Sequence, residues 1–198
     1  MDRIAQLDAI VAQFDLNTHP FYQEWVMGTL PMEKLRDYSA EYGRFVATIA
    51  KGWDTVCEHG YADEERLHEG MWANFRADID GTLEPKLATT DVLVTAADKL
   101  FSEKATAYGA LYAFEAQQPK TSRSKLDGLN KHYNLSETGK EYFVVHADDF
   151  AEAECIREAV AEMSEEEFLQ TKTACAVVCA AMWSALDGIY YSRQLATA

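Results

Sequence analysis

The stretch Tyr142-Phe143-Val144-Val145-His146-Ala147-Asp148-Asp149-Phe150-Ala151-Glu152-Ala153-Glu154 reads as a metal-binding helix that has lost part of its ligand set. Residues at i, i+4 and i+7 share a helix face, so three ligands from one side require an imidazole or a carboxylate at each position. His146 is followed at those positions by Phe150 and Ala153. Asp148 and Asp149 lie off that face and are expected to be solvated, and Asp149 would reach a metal only through a local distortion of the helix. Glu115 is the other group of interest, a carboxylate in a helix interior. Such a group is seldom left unpaired, so Glu115 and His146 are expected to form a hydrogen-bonded buried pair. Cys57, Cys155, Cys175 and Cys179 show neither a C-x-x-C pair nor zinc-finger spacing. Cys175 and Cys179 read as small buried thiols.

Helices must position these groups. Ile4, Leu7, Ile10, Val11 and Phe14 recur at helical spacing. Asn17 or Thr18 is available to cap a second helix that begins near Phe21 and ends at Gly28. Pro31 opens a long segment to about Cys57. The run from Ala62 to Ile79 carries Leu67, Met71, Trp72 and Phe75 at three- and four-residue steps, and Asp80-Gly81-Thr82 breaks it. Further helices are expected over Thr90–Leu100, continuing toward Phe114 and stopping before Pro119, then Ser122–His132, Gly139–Met163 and Glu165–Gln194. Ser164 and Glu167 form a capping box for the last of these. No segment alternates like a strand, so the fold class is an all-α bundle of about seven helices in a single domain over residues 1–198.

The formal net charge of -15 leaves no basic stripe to neutralise phosphates, which argues against nucleic-acid binding and against an anionic membrane surface. The uncharged run from Thr173 to Leu186 is too short to span a bilayer and reads as a core helix. No charged and apolar leader pattern opens the chain, so a cytoplasmic location is expected.

Several short patterns, in order, resemble the heme-oxygenase-like superfamily, in particular its TenA/PqqC branch and the chlamydial protein associating with death domains. They are His19-Pro20-Phe21-Tyr22-Gln23-Glu24-Trp25, Gly28-Thr29-Leu30, and Leu35-Arg36-Asp37-Tyr38-Ser39-Ala40-Glu41-Tyr42. Tyr108 to Pro119, Lys125-Leu126-Asp127-Gly128-Leu129, and Trp183-Ser184-Ala185-Leu186-Asp187-Gly188 complete the series. The resemblance implies a bundle with a central pocket, commonly a homodimer. Di-iron members of this group hold metal with a glutamate and a histidine from one helix and its following loop, a central glutamate, and an H-x-x-x-D-x-x-H helix. Carried over by position, the resemblance places Asp78 and Glu84 at the first two ligands, Glu115 at the central glutamate and His146 at the start of the third motif. It leaves Phe150 and Ala153 at the last two. The implied cofactor is one Fe or Mn ion at an altered or degenerate site.

Tyr22 matches a pocket tyrosine and Lys125 a lysine, which in the para-aminobenzoate-forming members are implicated as self-sacrificed substrate and amine source. The implied pocket is lined by Tyr38, Tyr42, Glu115 and His146, with Tyr22 and Lys125 as catalytic residues. Thiaminase chemistry of the TenA type needs a nucleophilic cysteine on or just after the Glu115–Pro119 segment, and none is present there. The expected function is an oxidoreductase acting on a small aromatic or amine metabolite. The alternative is a silent small-molecule binder or protein-interaction module on the same fold.

Overall fold

In the computed structural model, which describes residues 2–81, 84 and 87–192, the helix Lys104–Glu115 is buried at every position from Ala107 onward. Its sequence, Ala-Tyr-Gly-Ala-Leu-Tyr-Ala-Phe-Glu, is apolar on all sides until its last residue, the pattern of a helix surrounded by others. Around it lie α1 (Arg3–Gln13), α2 (Pro20–Met27), α3 (Met32–Val46), α4 (Ile49–Val56), α5 (His59–Asp78) and α6 (Ala88–Leu100). The central helix is α7, followed by α8 (Gln118–His132), α9 (Glu137–His146), α10 (Ala151–Ala161) and α11 (Glu165–Tyr191). A 3-10 turn, Leu16–Thr18, joins α1 to α2. No strand occurs among the described residues. One hydrophobic core runs from Leu7 to Ile189.

α7 packs most extensively on α11. Gly109 makes that approach possible, because a Cβ there would lie 2.0 Å from the Thr171 carbonyl oxygen. α11 is long and apolar enough, by length and composition, to cross a membrane. It serves instead as a core helix, burying Phe168, Cys175, Val178, Cys179, Met182, Leu186 and Ile189.

The capping box at Ser164 and Glu167 is present as expected. α2, by contrast, is capped by His19 rather than Asn17 or Thr18: its Nδ1 accepts from the Phe21 amide at 3.0 Å, and its Nε2 lies 3.2 Å from Asp187. The described residues form eleven helices because three expected long ones are divided. Pro31–Cys57 breaks at Ala47-Thr48, where the Thr48 hydroxyl donates to the Phe45 carbonyl at 2.7 Å, a local bond that competes with the helical ladder. The Thr90–Phe114 segment splits into α6 and α7, and Gly139–Met163 splits into α9 and α10. Leu67, expected on a core face, is 68% exposed. Thr82 and the expected helix end at Gln194 lie outside the described residues.

Candidate metal centre

The break between α9 and α10 brings α10 into the site. Asp148 takes the left-handed conformation, with φ of 66°, which aspartate tolerates better than most residues. Its carboxylate pairs with Arg123. The Asp149 Oδ1 then accepts from the Ala151 amide at 3.0 Å and starts a new helix. Phe150 therefore points outward, 44% exposed, and Glu152 enters the interior from the first turn of α10.

Five donor residues from four helices converge here. α5 contributes Glu65 and His68, α7 ends on Glu115, α9 ends on His146, and α10 contributes Glu152. One ligand atom from each of Glu65, His68 and His146 lies within 4.8 Å of the others, and the same holds for Glu65, Glu115 and Glu152. Glu65 and Glu115 are 1% exposed and His146 3%.

The hydrogen bonds fix how His146 presents itself. Its Nδ1 lies 2.6 Å from the Tyr142 carbonyl oxygen, which can only accept, so Nδ1 carries the proton and donates. Its Nε2 faces Glu65 Oε1 at 3.8 Å, beyond hydrogen-bond reach. Donation of the far ring nitrogen to a backbone carbonyl is the usual support for a metal-ligating imidazole. His68 Nδ1 sits 3.0 Å from the same Glu65 oxygen, and Trp53 Nε1 donates to Glu115 Oε1 at 3.2 Å.

Within this cluster four buried atoms have no hydrogen-bond partner among the described residues: Glu65 Oε2, Glu115 Oε2, His146 Nε2 and Glu152 Oε1. Each such group costs about 1–3 kcal/mol, and more if charged. Burial pushes the Glu115 carboxyl well above the usual carboxylate range, and the charges of Glu152 and Glu65 push it further. Glu152 is raised to about 8, by burial first and by Glu65 second. Burial acts in the same direction on Glu65, but the imidazoles of His146 and His68 outweigh it and hold that carboxyl low. No lysine or arginine among the described residues pairs with the three carboxylates. Three carboxylates and two imidazoles whose free atoms face one another, with no cationic side chain between them, form a donor set suited to iron or manganese. The residues therefore fit a metal.

This set differs from the one expected by position. His146 faces Glu65 rather than pairing with Glu115. Asp78 is exposed at the end of α5, where its Oδ2 accepts from the Ser136 amide at 2.6 Å at the start of α9. A Cβ on Gly139 would lie 2.3 Å from the same oxygen, so Asp78 is held close against α9. Glu84 is exposed and lines a surface cleft with Ser39, Trp72 and Arg76. The structure brings neither residue to Glu115 or His146. Asp78→Ala should cost about 1 kcal/mol of stability, the scale of a lost cap, and leave iron content unchanged; a melting curve beside an iron assay checks both.

Lys125, Tyr22 and Tyr38 form a second buried cluster. Lys125 is 2% exposed, Tyr22 1% and Tyr38 0%. The Lys125 Nζ lies 5.0 Å from the Tyr22 ring centre, 5.9 Å from that of Tyr38 and 5.4 Å from that of Phe143. It also approaches the Tyr38 hydroxyl at 3.5 Å, and the two phenol oxygens are 3.1 Å apart. Tyr42 stacks on Tyr38 at 4.9 Å. No carboxylate among the described residues pairs with Lys125, and burial lowers its pKa to about 7. Tyr22 and Tyr38 are pushed well above the usual phenol range, again by burial. Tyr38, Tyr42, Glu115 and His146, expected to line a pocket, are all buried. A cleft at the C-terminal end of α7 is lined instead by Asp8, Gln117, Lys120, Thr121 and Arg157, among others.

Residues 55–187 match the family of iron-containing redox enzymes. A 4-aminobenzoate synthase from Nitrosomonas europaea is 31% identical, with the alignment covering 93% of this chain and 89% of that protein. A 4-aminobenzoate synthase from Chlamydia pneumoniae is 26% identical over 73% of this chain and 75% of its own length. Among solved structures, a domain of unknown function with a heme oxygenase-like fold from Shewanella denitrificans superposes with a TM-score of 0.79 at 17% identity, covering 100% of this chain and 96% of that one. A TenA homologue from P. horikoshii gives 0.76 at 11% identity, covering 96% and 99%. The chain belongs to the iron-containing redox enzyme family, on a heme-oxygenase-like fold. The resemblance drawn from its short motifs, to TenA-like proteins and to the para-aminobenzoate-forming oxidases, holds.

Proposed function

We propose that this protein is an iron-dependent oxidase that forms 4-aminobenzoate, with Tyr22 supplying the aromatic carbon and Lys125 the amine nitrogen. The observation that carries this reading is the Lys125 amine, enclosed with two phenols, away from water and without a carboxylate partner. A surface lysine would be a solvated cation. This one is held where its neutral, nucleophilic form is accessible near neutral pH. The Tyr22 hydroxyl is oriented by the hydroxyl of Tyr38. Reactants so enclosed leave little room for a diffusing substrate, which fits a chain that consumes its own side chains.

Glu65, His68 and His146 would hold one cation and Glu65, Glu115 and Glu152 would hold a second, so this reading has two cations rather than the single ion expected from the sequence. The first group is the two-histidine, one-carboxylate set that suits non-heme iron with positions left open. Bound iron would supply activation of dioxygen, the oxidant. A cytoplasmic homodimer and a small-molecule product belong to the same reading, supported by the acidic charge and the family resemblance.

Protein made with heavy-nitrogen lysine, loaded with Fe(II) under anaerobic conditions and then exposed to dioxygen without any organic substrate, tests the proposal. The expected product is heavy-nitrogen 4-aminobenzoate, at most one per chain, with matching mass loss on the Tyr22 and Lys125 peptides. Iron-loaded protein that yields neither would overturn it and leave a silent member of the fold.

A further inference from the structure

We propose that His19, as the neutral imidazole with its proton on Nε2, is a positioning residue for Tyr22: it ties the first turn of α2 to α11 so that the phenol meets Lys125. This rests on the reading above, in which Tyr22 and Lys125 are the groups consumed.

Tyr22 is the third residue of α2, a helix of eight residues and too short to be stable by itself. Where its phenol sits therefore depends on how the two ends of α2 are held. The C-terminal end lies against α8, the helix that carries Lys125. Gly128 permits that approach, since a Cβ there would lie 2.9 Å from the Trp25 carbonyl oxygen. The N-terminal end is held by His19. Pro20 brings no N–H to the first position, so the Phe21 amide is the first donor without a helical partner. His19 Nδ1 accepts it at 3.0 Å.

Serine, threonine, aspartate and asparagine are the usual caps. The imidazole does what none of them can, because its far nitrogen reaches a second helix. His19 Nε2 lies 3.2 Å from Asp187 Oδ1 on α11. Nδ1 accepts, and a carboxylate can only accept, so the proton sits on Nε2 and is donated to Asp187. The capped residue passes this constraint on to both phenols. The ring of Phe21 lies 5.8 Å from that of Tyr22 and 5.3 Å from that of Tyr38.

The surroundings keep the ring neutral. His19 is fully buried, with the edges of Trp183 and Tyr190 of α11 at 4.8 and 6.3 Å. The ionisable groups on this side are Asp187, Tyr190 and Glu24 of α2, which accepts from the Tyr190 hydroxyl. Burial lowers the pKa of His19 from 6.5, against the pull of Asp187. A protonated ring would set Nδ1–H against the Phe21 N–H and lose the cap. A plain cap needs no second nitrogen and no bond to another helix.

Asp187→Ala removes the link to α11 and leaves the cap. The Asp187 side chain is 46% exposed, so its truncation does not open the core. The first readout uses iron-free, full-length protein: the titration of Lys125, followed by NMR at its ε-carbon. The wild-type midpoint should lie near 7. In Asp187→Ala the phenols shift off the amine, water reaches it, and the midpoint should rise toward 10.5. Asp187→Asn keeps a side-chain oxygen that accepts from Nε2 and should restore the wild-type midpoint. The second readout is 4-aminobenzoate formed by the iron-loaded protein, which should fall by ~10-fold or more in Asp187→Ala and recover in Asp187→Asn, since small misplacements of reacting groups weigh heavily on rate. The third is the nitrogen NMR of His19 in the wild type, which should show a proton on Nε2 alone at neutral pH. An unchanged Lys125 midpoint in folded Asp187→Ala overturns the proposal, and so does a His19 ring protonated on Nδ1. Wild-type protein that holds iron and forms no 4-aminobenzoate overturns the proposed function instead, and the iron-free titrations still decide the role of His19.

Discussion

Glu65→Ala should lose iron outright, with affinity falling by more than ~100-fold, since even partners that only support a ligand cost 10–100-fold when removed. Glu65 is the residue common to both ligand groups, so its loss strips the carboxylate from His68 and His146 and leaves Glu115 and Glu152 without the third oxygen donor. Replacing Glu84 by alanine should do nothing to iron content, because its side chain is exposed and lies in a different cleft. Iron measured after anaerobic loading and desalting separates the two variants. Equal iron in the Glu65→Ala and wild-type proteins would remove α5 from the site.

Lys125→Met should abolish product and at the same time stabilise the protein. The folded-state pKa of Lys125 is lowered to about 7 by burial, from an ordinary value of 10.5. Between those two pH values the unfolded chain binds a proton that the folded chain does not, so the wild type gains stability as pH rises through that window. Below about pH 7 the amine must be protonated in both states and the full burden of burying a charge is present. At about 1.4 kcal/mol per pK unit, that burden is on the order of 5 kcal/mol. Methionine fills a similar volume without a charge. Its advantage over the wild type should therefore be greatest at pH 7 and below, and should shrink steadily toward pH 10. Denaturant unfolding across that range measures it. A difference independent of pH would show that Lys125 reaches solvent. Stabilisation coupled to loss of activity is the mark of a group kept in an unfavourable place for its chemistry.

Much of the fold was legible in the sequence, because apolar spacing and caps are local signals. The Ser164–Glu167 box and the buried α11 follow directly from them. Glu115 and His146 were also legible, as charged or titratable groups on buried faces. Glu65 was not. It lies in Asp63-Glu64-Glu65-Arg66, where only the third residue turns inward and its neighbours on either side are exposed. Polarity alone cannot say which member of an acidic run is buried. The signal that could have singled it out is Glu65-x-x-His68, a glutamate and a histidine one turn apart, the pairing used by di-metal carboxylate bundles.

Glu152 was hidden for a different reason. A continuous helix from Gly139 to Met163 puts Phe150 and Ala153 on the His146 face, and the ligand set then looks broken. Asp149 followed three residues later by Glu152 carries the pattern of a helix start, and the chain does restart there. Once α10 begins afresh, its register no longer continues that of α9, and the i+4 and i+7 rule ceases to apply. Asp78 and Glu84 were placed by matching positions along a chain. Side-chain direction decided otherwise: Asp78 braces the start of α9 instead of entering the core.

The most direct test is a crystal structure of protein loaded anaerobically with Fe(II), with anomalous diffraction collected at the iron edge. Anomalous density should lie among Glu65, His68, Glu115, His146 and Glu152, with ligand atoms about 2.0–2.2 Å away, as for first-row metals on these donors. Iron found beside Asp78 or Glu84, or absent from the five-residue cluster in iron-replete crystals, would contradict it.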